Sequence, residues 1–280
     1  MTVAVGFRCV DGVVLAADQQ YSEGAAKLYG YKIYLIRNEG HYALTIAGSG
    51  GVPSIKGAVR EIRKSLAREV GETNTDADTV GDLVERTLRA YYATHIDCAP
   101  PKAREDLDFQ LLIAVWTAGH GSRLFQTWRS QWYEVESPFH RCIGAGAYLT
   151  DCLTEMLAPT SLMSVEAAKP LAAFIVGRAK KFVQYCGGQT FVRALLGDGT
   201  DDRVWQDEII DSNLYFEGFF RTVGGMRDLL GTAHSPENVD TGSVAARLKE
   251  QFVTFQKARL EDRRKQVEMR ERARSRRLPR

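Results

Sequence analysis

The sequence has no apolar run near the roughly 18 residues needed to span a bilayer, so no membrane segment is expected. Its start has no basic stretch followed by an apolar one, so no secretory leader is expected and the chain reads as cytoplasmic. Cysteine is sparse: Cys9, Cys98, Cys142, Cys152 and Cys186 are scattered, with no CxxC pair and no metal-ligand spacing. An odd, unpatterned set fits reduced thiols, each read as a small buried hydrophobe, rather than a disulfide framework. The acidic stretch Asp198-Gly-Thr-Asp-Asp202 lacks EF-hand spacing and reads as a polar turn. No metal and no cofactor are expected.

Net charge is also small, +2 over 280 residues, but it is unevenly spread. From Arg263 to Arg280 there are nine Lys or Arg and two acidic residues. The rest of the chain then carries 28 basic and 33 acidic groups, a mildly acidic body with a basic tail. The tail has no aromatic after Phe255 and no nucleic-acid motif. It reads as a solvated helix, or one that docks on an acidic partner or subunit face, and nucleic acid is not expected.

What is present is an ordered succession of strands and helices. Residues 2–8 alternate like a strand, Asp11-Gly12 is a turn signal, and Val13 to Ala17 is a continuous apolar run ended by Asp18. Residues 32–36 and 41–47 predict two further strands, followed by a flexible corner at Gly48-Ser49-Gly50-Gly51. Val52, Ile55, Val59, Ile62 and Leu66 predict an amphipathic helix over 52–69. Val80, Leu83, Val84, Leu88 and Tyr91 predict a second, stopped at Cys98-Ala-Pro-Pro101. Strands are expected at 109–116, 122–128, 131–135 and 140–143, helices near 148–157 and 165–184, and a strand at 189–196. Strands, two helices, strands, two helices and a strand point to α+β layers, with sheets between helix pairs.

Thr2 carries the chemistry. Removal of Met1, which a small second residue favours, would leave a threonine with its hydroxyl and a free α-amine on one residue. Such a pair can act as nucleophile and base. An α-amine has a pKa of roughly 7.7–8.0, so it can accept a proton near neutrality.

Thr2-Val-Ala-Val-Gly-Phe7, Asp11-Gly-Val-Val-Leu-Ala-Ala-Asp18, Lys32-Ile33 and Ala47-Gly48, at their spacing, resemble a 20S proteasome β-subunit and equally the bacterial HslV peptidase. Both belong to the N-terminal-nucleophile hydrolases. The resemblance covers roughly residues 2–196 and implies a four-layer αββα sandwich. It implies Thr2 as nucleophile, Lys32 as the group that takes or relays the hydroxyl proton, and Asp18 as the partner that fixes Lys32. It implies the backbone N–H at Gly48 as oxyanion donor. It further implies a peptide or unfolded-protein substrate, copies of the chain in a ring, and an ATP-dependent unfoldase as a possible partner.

Two positions depart from the family pattern. The family's Gly-Ser-Gly is Gly144-Ala145-Gly146 here, and its aspartate and serine before a glycine are Val183 and Cys186 before Gly187. The hydroxyl that orders the threonine amine is therefore replaced by the methyl of Ala145. Two functions fit: a threonine-type peptidase or amidase, or a catalytically inactive structural or binding subunit of the same fold. Beyond residue 196 the resemblance ends. An aromatic-rich appendage (197–242) and a helix leading into the basic tail (243–280) are expected there.

Overall fold

In the computed structural model, residues 3–23, 26–70, 75–136, 138–158, 161–184, 186–204, 206, 209 and 210 are described. Most of the expected appendage and all of the expected tail helix lie outside them.

Strands β1 (Val3–Cys9) and β2 (Gly12–Asp18) form the hairpin that Asp11-Gly12 predicts. Next come a small hairpin of β3 (Gln20–Glu23) and β4 (Ala26–Tyr29), then β5 (Ile33–Asn38) and β6 (Tyr42–Gly50). Helices α1 (Val52–Glu69) and α2 (Ala77–Tyr91) follow, then a π-helical turn at Tyr92–Ile96 and a short α3 (Pro101–Leu107). Strands β7 (Phe109–Thr117), β8 (Gly121–Trp128), β9 (Gln131–Glu134) and β10 (His140–Gly144) precede α4 (Ala147–Leu157) and α5 (Val165–Phe182). Strands β11 (Thr190–Leu196) and β12 (Asp201–Arg203) end the described order.

The strands make two five-stranded sheets, β10-β1-β2-β11-β12 and β5-β6-β7-β8-β9, with β3-β4 a separate ribbon. The architecture is the expected α+β αββα sandwich. Helices α1 and α2 cover the outer face of the second sheet, and α4 and α5 cover the first. Strand β2 is buried along its whole length, which its unbroken apolar sequence requires of a strand covered on both faces. Alternation along the pleat sends Ala4, Leu15 and Ala17 into the core between the sheets, against Ala47, Ala114 and Leu124. Small residues bring the sheets close: a methyl added to Gly6 would lie 3.0 Å from Leu15 Cδ2 and 3.1 Å from Leu124 Cδ1. Outside the second sheet, Ile62, Leu66, Val84 and Leu88 meet Ile46, Leu111 and Ile113. Each such side chain contributes about 1.5–3 kcal/mol when fully buried. Helix α2 starts where the Asp76 carboxylate accepts the Thr79 N–H at 2.7 Å. Among the described residues no helix is long and apolar enough to cross a membrane.

Several expectations change. Gly48, Ser49 and Gly50 are not a flexible corner but the end of β6, paired with Leu111, Gln110 and Phe109. Two flanking strands overrode the local preference of glycine for turns. The β3–β4 hairpin, α3 and β12 were not anticipated; the expected polar turn is present at 198–200, where the Thr200 N–H donates to Asp198 Oδ1 at 2.8 Å, and Asp201 and Asp202 beyond it are strand. Lys32 lies just ahead of β5 rather than within it. Cys98 and Cys152 are exposed, whereas Cys9, Cys142 and Cys186 are buried as expected.

Candidate active site

The site is built around the end of β2. Asp18, the polar residue that stops the apolar strand, is 1% exposed. Its Oδ1 accepts the Val3 backbone N–H at 3.1 Å and a hydrogen bond from Lys32 Nζ at 2.9 Å. Its Oδ2 accepts the Gly187 N–H at 3.0 Å. One carboxylate thus ties together the start of β1, the residue before β5 and the loop after α5. Thr2 itself lies outside the described residues, but the nitrogen held by Asp18 belongs to the next residue in the chain.

Lys32 is 4% exposed, and its ammonium also donates to the Gln20 carbonyl. Burial lowers its pKa, and the charge and hydrogen bond of Asp18 oppose that shift in part. A lysine so placed gives up its proton more readily than an exposed one, as a base must near neutral pH. The ion pair also explains how the cation is tolerated inside the fold: each charge has its partner and further hydrogen bonds.

Gly48 lies across the β5–β6 pairing from Lys32. Its N–H donates to the Lys32 carbonyl at 3.1 Å. In this arrangement the expected oxyanion donor is already engaged, and it fixes the Lys32 backbone to β6. A methyl on Gly48 would come 2.7 Å from Ile55 Cγ2, so glycine allows α1 to sit against the strand.

The two family departures meet at the same place. Val3 pairs with Gly144 across β1 and β10, which brings the Gly144-Ala145-Gly146 turn to the first described residue of the chain. Ala145 is exposed there and offers no hydroxyl. A methyl on Gly146 would sit 2.9 Å from Val3 Cβ and 3.5 Å from Cys186 Sγ, so the Val3 side chain and the Cys186 thiol both line Gly146. Burial, reinforced by the Asp18 charge, pushes that thiol up to about 12, so it is held as the neutral S–H. The Val183 carbonyl accepts the Cys186 N–H at 3.1 Å, and the turn carries no carboxylate at position 183.

The structure thus links Asp18 to Val3 and Lys32, sets the Ala145 turn and Cys186 beside them, and ties Gly48 to the Lys32 backbone. The sequence reading missed Gln20, whose carbonyl holds Lys32, and Gly187, whose N–H holds Asp18. The Gly187 carbonyl also accepts the Gln19 and Gln20 N–H groups at 3.1 and 3.0 Å. Among the described residues no group of His, Cys, Asp and Glu could hold a metal ion.

No protein-family model matches the chain, and no curated protein does. Solved structures do. Anbu (ancestral beta-subunit) from Yersinia bercovieri superposes with a TM-score of 0.67 at 15% identity, covering 80% of this chain and 97% of that one. An Anbu (Gly-1) mutant from Hyphomicrobium sp. strain MC1 gives 0.68 at 16% identity, covering 80% and 97%. The helical assembly of the Anbu complex from Pseudomonas aeruginosa gives 0.66 at 16% identity, covering 84% and 98%. At these identities the likeness is one of fold, and the fold is that of these proteasome-like β-subunits.

Proposed function

We propose that the chain is a threonine-type peptidase or amidase of the proteasome-like class, acting through Thr2 once Met1 is removed. The observation that carries the reading is the Asp18 carboxylate holding both Lys32 and the backbone N–H of Val3 with one oxygen. Thr2, joined to Val3, supplies the hydroxyl. Lys32, its pKa lowered by burial, takes or relays the hydroxyl proton. The attacked carbonyl becomes an oxyanion that needs a donor, worth on the order of 10²–10³ in rate. Gly48 fills that role by sharing or releasing the N–H now given to the Lys32 carbonyl. With no serine at 145, the Cys186 thiol beside Gly146 takes over in this proposal the task of ordering the Thr2 amine.

The chain acts in this proposal as an assembly of copies in the cytoplasm, on peptide or unfolded protein that an ATP-dependent unfoldase could deliver. The Pseudomonas aeruginosa structural neighbour forms a helical assembly, which supports self-association. So does helix α4, which buries Thr150 and Thr154 and leaves Tyr148 84% and Met156 73% exposed. Exposed apolar surface of this kind marks interaction sites.

A second reading, an inactive subunit of the same fold, is favoured by one observation: the methyl of Ala145 where the family carries a hydroxyl. The two separate on hydrolysis of short fluorogenic peptides by the wild type and by Thr2→Ala. The first reading expects turnover that Thr2→Ala abolishes without loss of fold. Equal rates in both proteins would exclude Thr2 as the nucleophile.

A further inference from the structure

A lysine outside the expected set holds the turn next to the Gly187 N–H that Asp18 accepts. Lys180 lies on the last turn of α5, half-buried, and its ammonium donates to the Gly188 carbonyl at 3.0 Å. Burial lowers its pKa, and the charge of Asp18 works against that shift, so the two groups feel each other. Gly188 follows the residue whose N–H rests on Asp18 Oδ2. The 187–189 turn is held on its other side as well. The Gly187 carbonyl accepts the Gln19 and Gln20 N–H groups, and the Gln189 N–H donates to Gln19 Oε1 at 3.3 Å.

Gly188 has φ +72°, and a methyl there would meet Tyr29 Cδ1 at 2.8 Å and Gln19 Cβ at 3.0 Å. The turn is therefore wedged between the β3–β4 ribbon and α5, and Lys180 is the side chain that clamps it from the helix. A cation at that end also complements the negative end of the α5 dipole.

We propose that Lys180 is a positioning residue for the proposed hydrolase. Its ammonium fixes the Gly187-Gly188 turn through the Gly188 carbonyl and thereby keeps the Gly187 N–H aimed at Asp18 Oδ2. It acts through Asp18, which holds Lys32 and the start of β1, and does not touch substrate. The requirement is for a cation with a donor at its tip. Arginine should therefore replace it, and methionine, of similar length and apolar, should not.

The test rests in its kinetic arm on the proposed function and in its exchange arm on nothing but the fold. Hydrogen exchange of the 186–189 segment is followed in the full-length wild type, Lys180→Met, Lys180→Gln and Lys180→Arg. The expected result is at least tenfold faster exchange in Lys180→Met, an intermediate rate in Lys180→Gln, and near wild-type protection in Lys180→Arg. In the kinetic arm, kcat for a fluorogenic peptide falls at least tenfold in Lys180→Met with KM little changed, and Lys180→Arg restores it. Unchanged protection of 186–189 in Lys180→Met overturns the proposal. Equal loss in the Arg and Met variants overturns it too, because that marks a packing role without need of charge. A wild type that hydrolyses nothing defeats the function above, while the exchange arm still decides the role of Lys180.

Discussion

Asp18 and Lys32 form an ion pair of 2.9 Å with side chains 0% and 4% exposed, and the Asp18 oxygen in that pair also accepts the Val3 N–H. The residue that stabilises the buried cation therefore also sets where the chain begins its first strand. Any change that frees one partner disturbs both the fold and the place where Thr2 is attached.

Asp18→Asn keeps the side-chain shape and an acceptor but leaves the Lys32 ammonium without its anion. Breaking a buried pair in this way typically costs about 3–5 kcal/mol. The loss should shrink at alkaline pH, where Lys32 becomes neutral. Urea denaturation of wild type and variant at neutral and alkaline pH measures both. A loss under about 1 kcal/mol at neutral pH would contradict the burial of the charged pair.

Lys32 sets a pH dependence whose sign follows from its lowered pKa. Its folded pKa lies below the unfolded one, so its contribution to stability grows as pH rises between the two and is lost as pH falls through the folded value. If Lys32 is the base, the rate climbs with pH through that same lowered pKa. Lys32→Arg remains protonated throughout, so its rate should be at least about 10²-fold lower and lack that limb. A pH–rate profile for the Arg variant that matches the wild type would remove Lys32 from the mechanism.

Ala145→Ser restores a hydroxyl beside the start of β1 without crowding, because Ala145 is exposed in its turn. We expect kcat to rise, and a tenfold gain requires only about 1.4 kcal/mol off the barrier. Steady-state kinetics on the same peptide decide it; a fall in kcat would point to a site organised without that hydroxyl.

The outward face of α4 predicts self-association. Tyr148→Glu combined with Met156→Glu should shift light scattering toward smaller species while leaving circular dichroism unchanged. A wild type that scatters as a monomer at micromolar concentration would refute assembly.

The layers were legible because their signals were local and strong. The apolar run Val13 to Ala17, bounded by Asp11-Gly12 and Asp18, fits a strand covered on both faces, and the stripe from Val52 to Leu66 fits a helix with one buried face. Asp18 and Lys32 were legible only through the resemblance to the proteasome β-subunit pattern, and the fold brings them to 2.9 Å across the β3–β4 hairpin. The β3–β4 ribbon was not, since Gln20 to Tyr29 carries no marked alternation and no strong turn pair. Gly48 to Gly50 misled for the opposite reason: the glycines signal a turn, but pairing to β7 holds them in a strand. Gly187 was hidden because its partner lies 169 positions away along the chain, and Lys180 because its partner is a backbone carbonyl, that of Gly188. Backbone donors of that kind leave no trace in residue type.

The central claim is that Thr2, freed of Met1, is the nucleophile. Intact-mass and tandem mass spectrometry after exposure to an electrophilic peptide lactone tests it most directly. The account predicts a chain lacking Met1 that gains the mass of one probe, located on Thr2 and absent from Thr2→Ala. A chain that retains Met1, or one that begins at Thr2 and takes up no probe there, would contradict it.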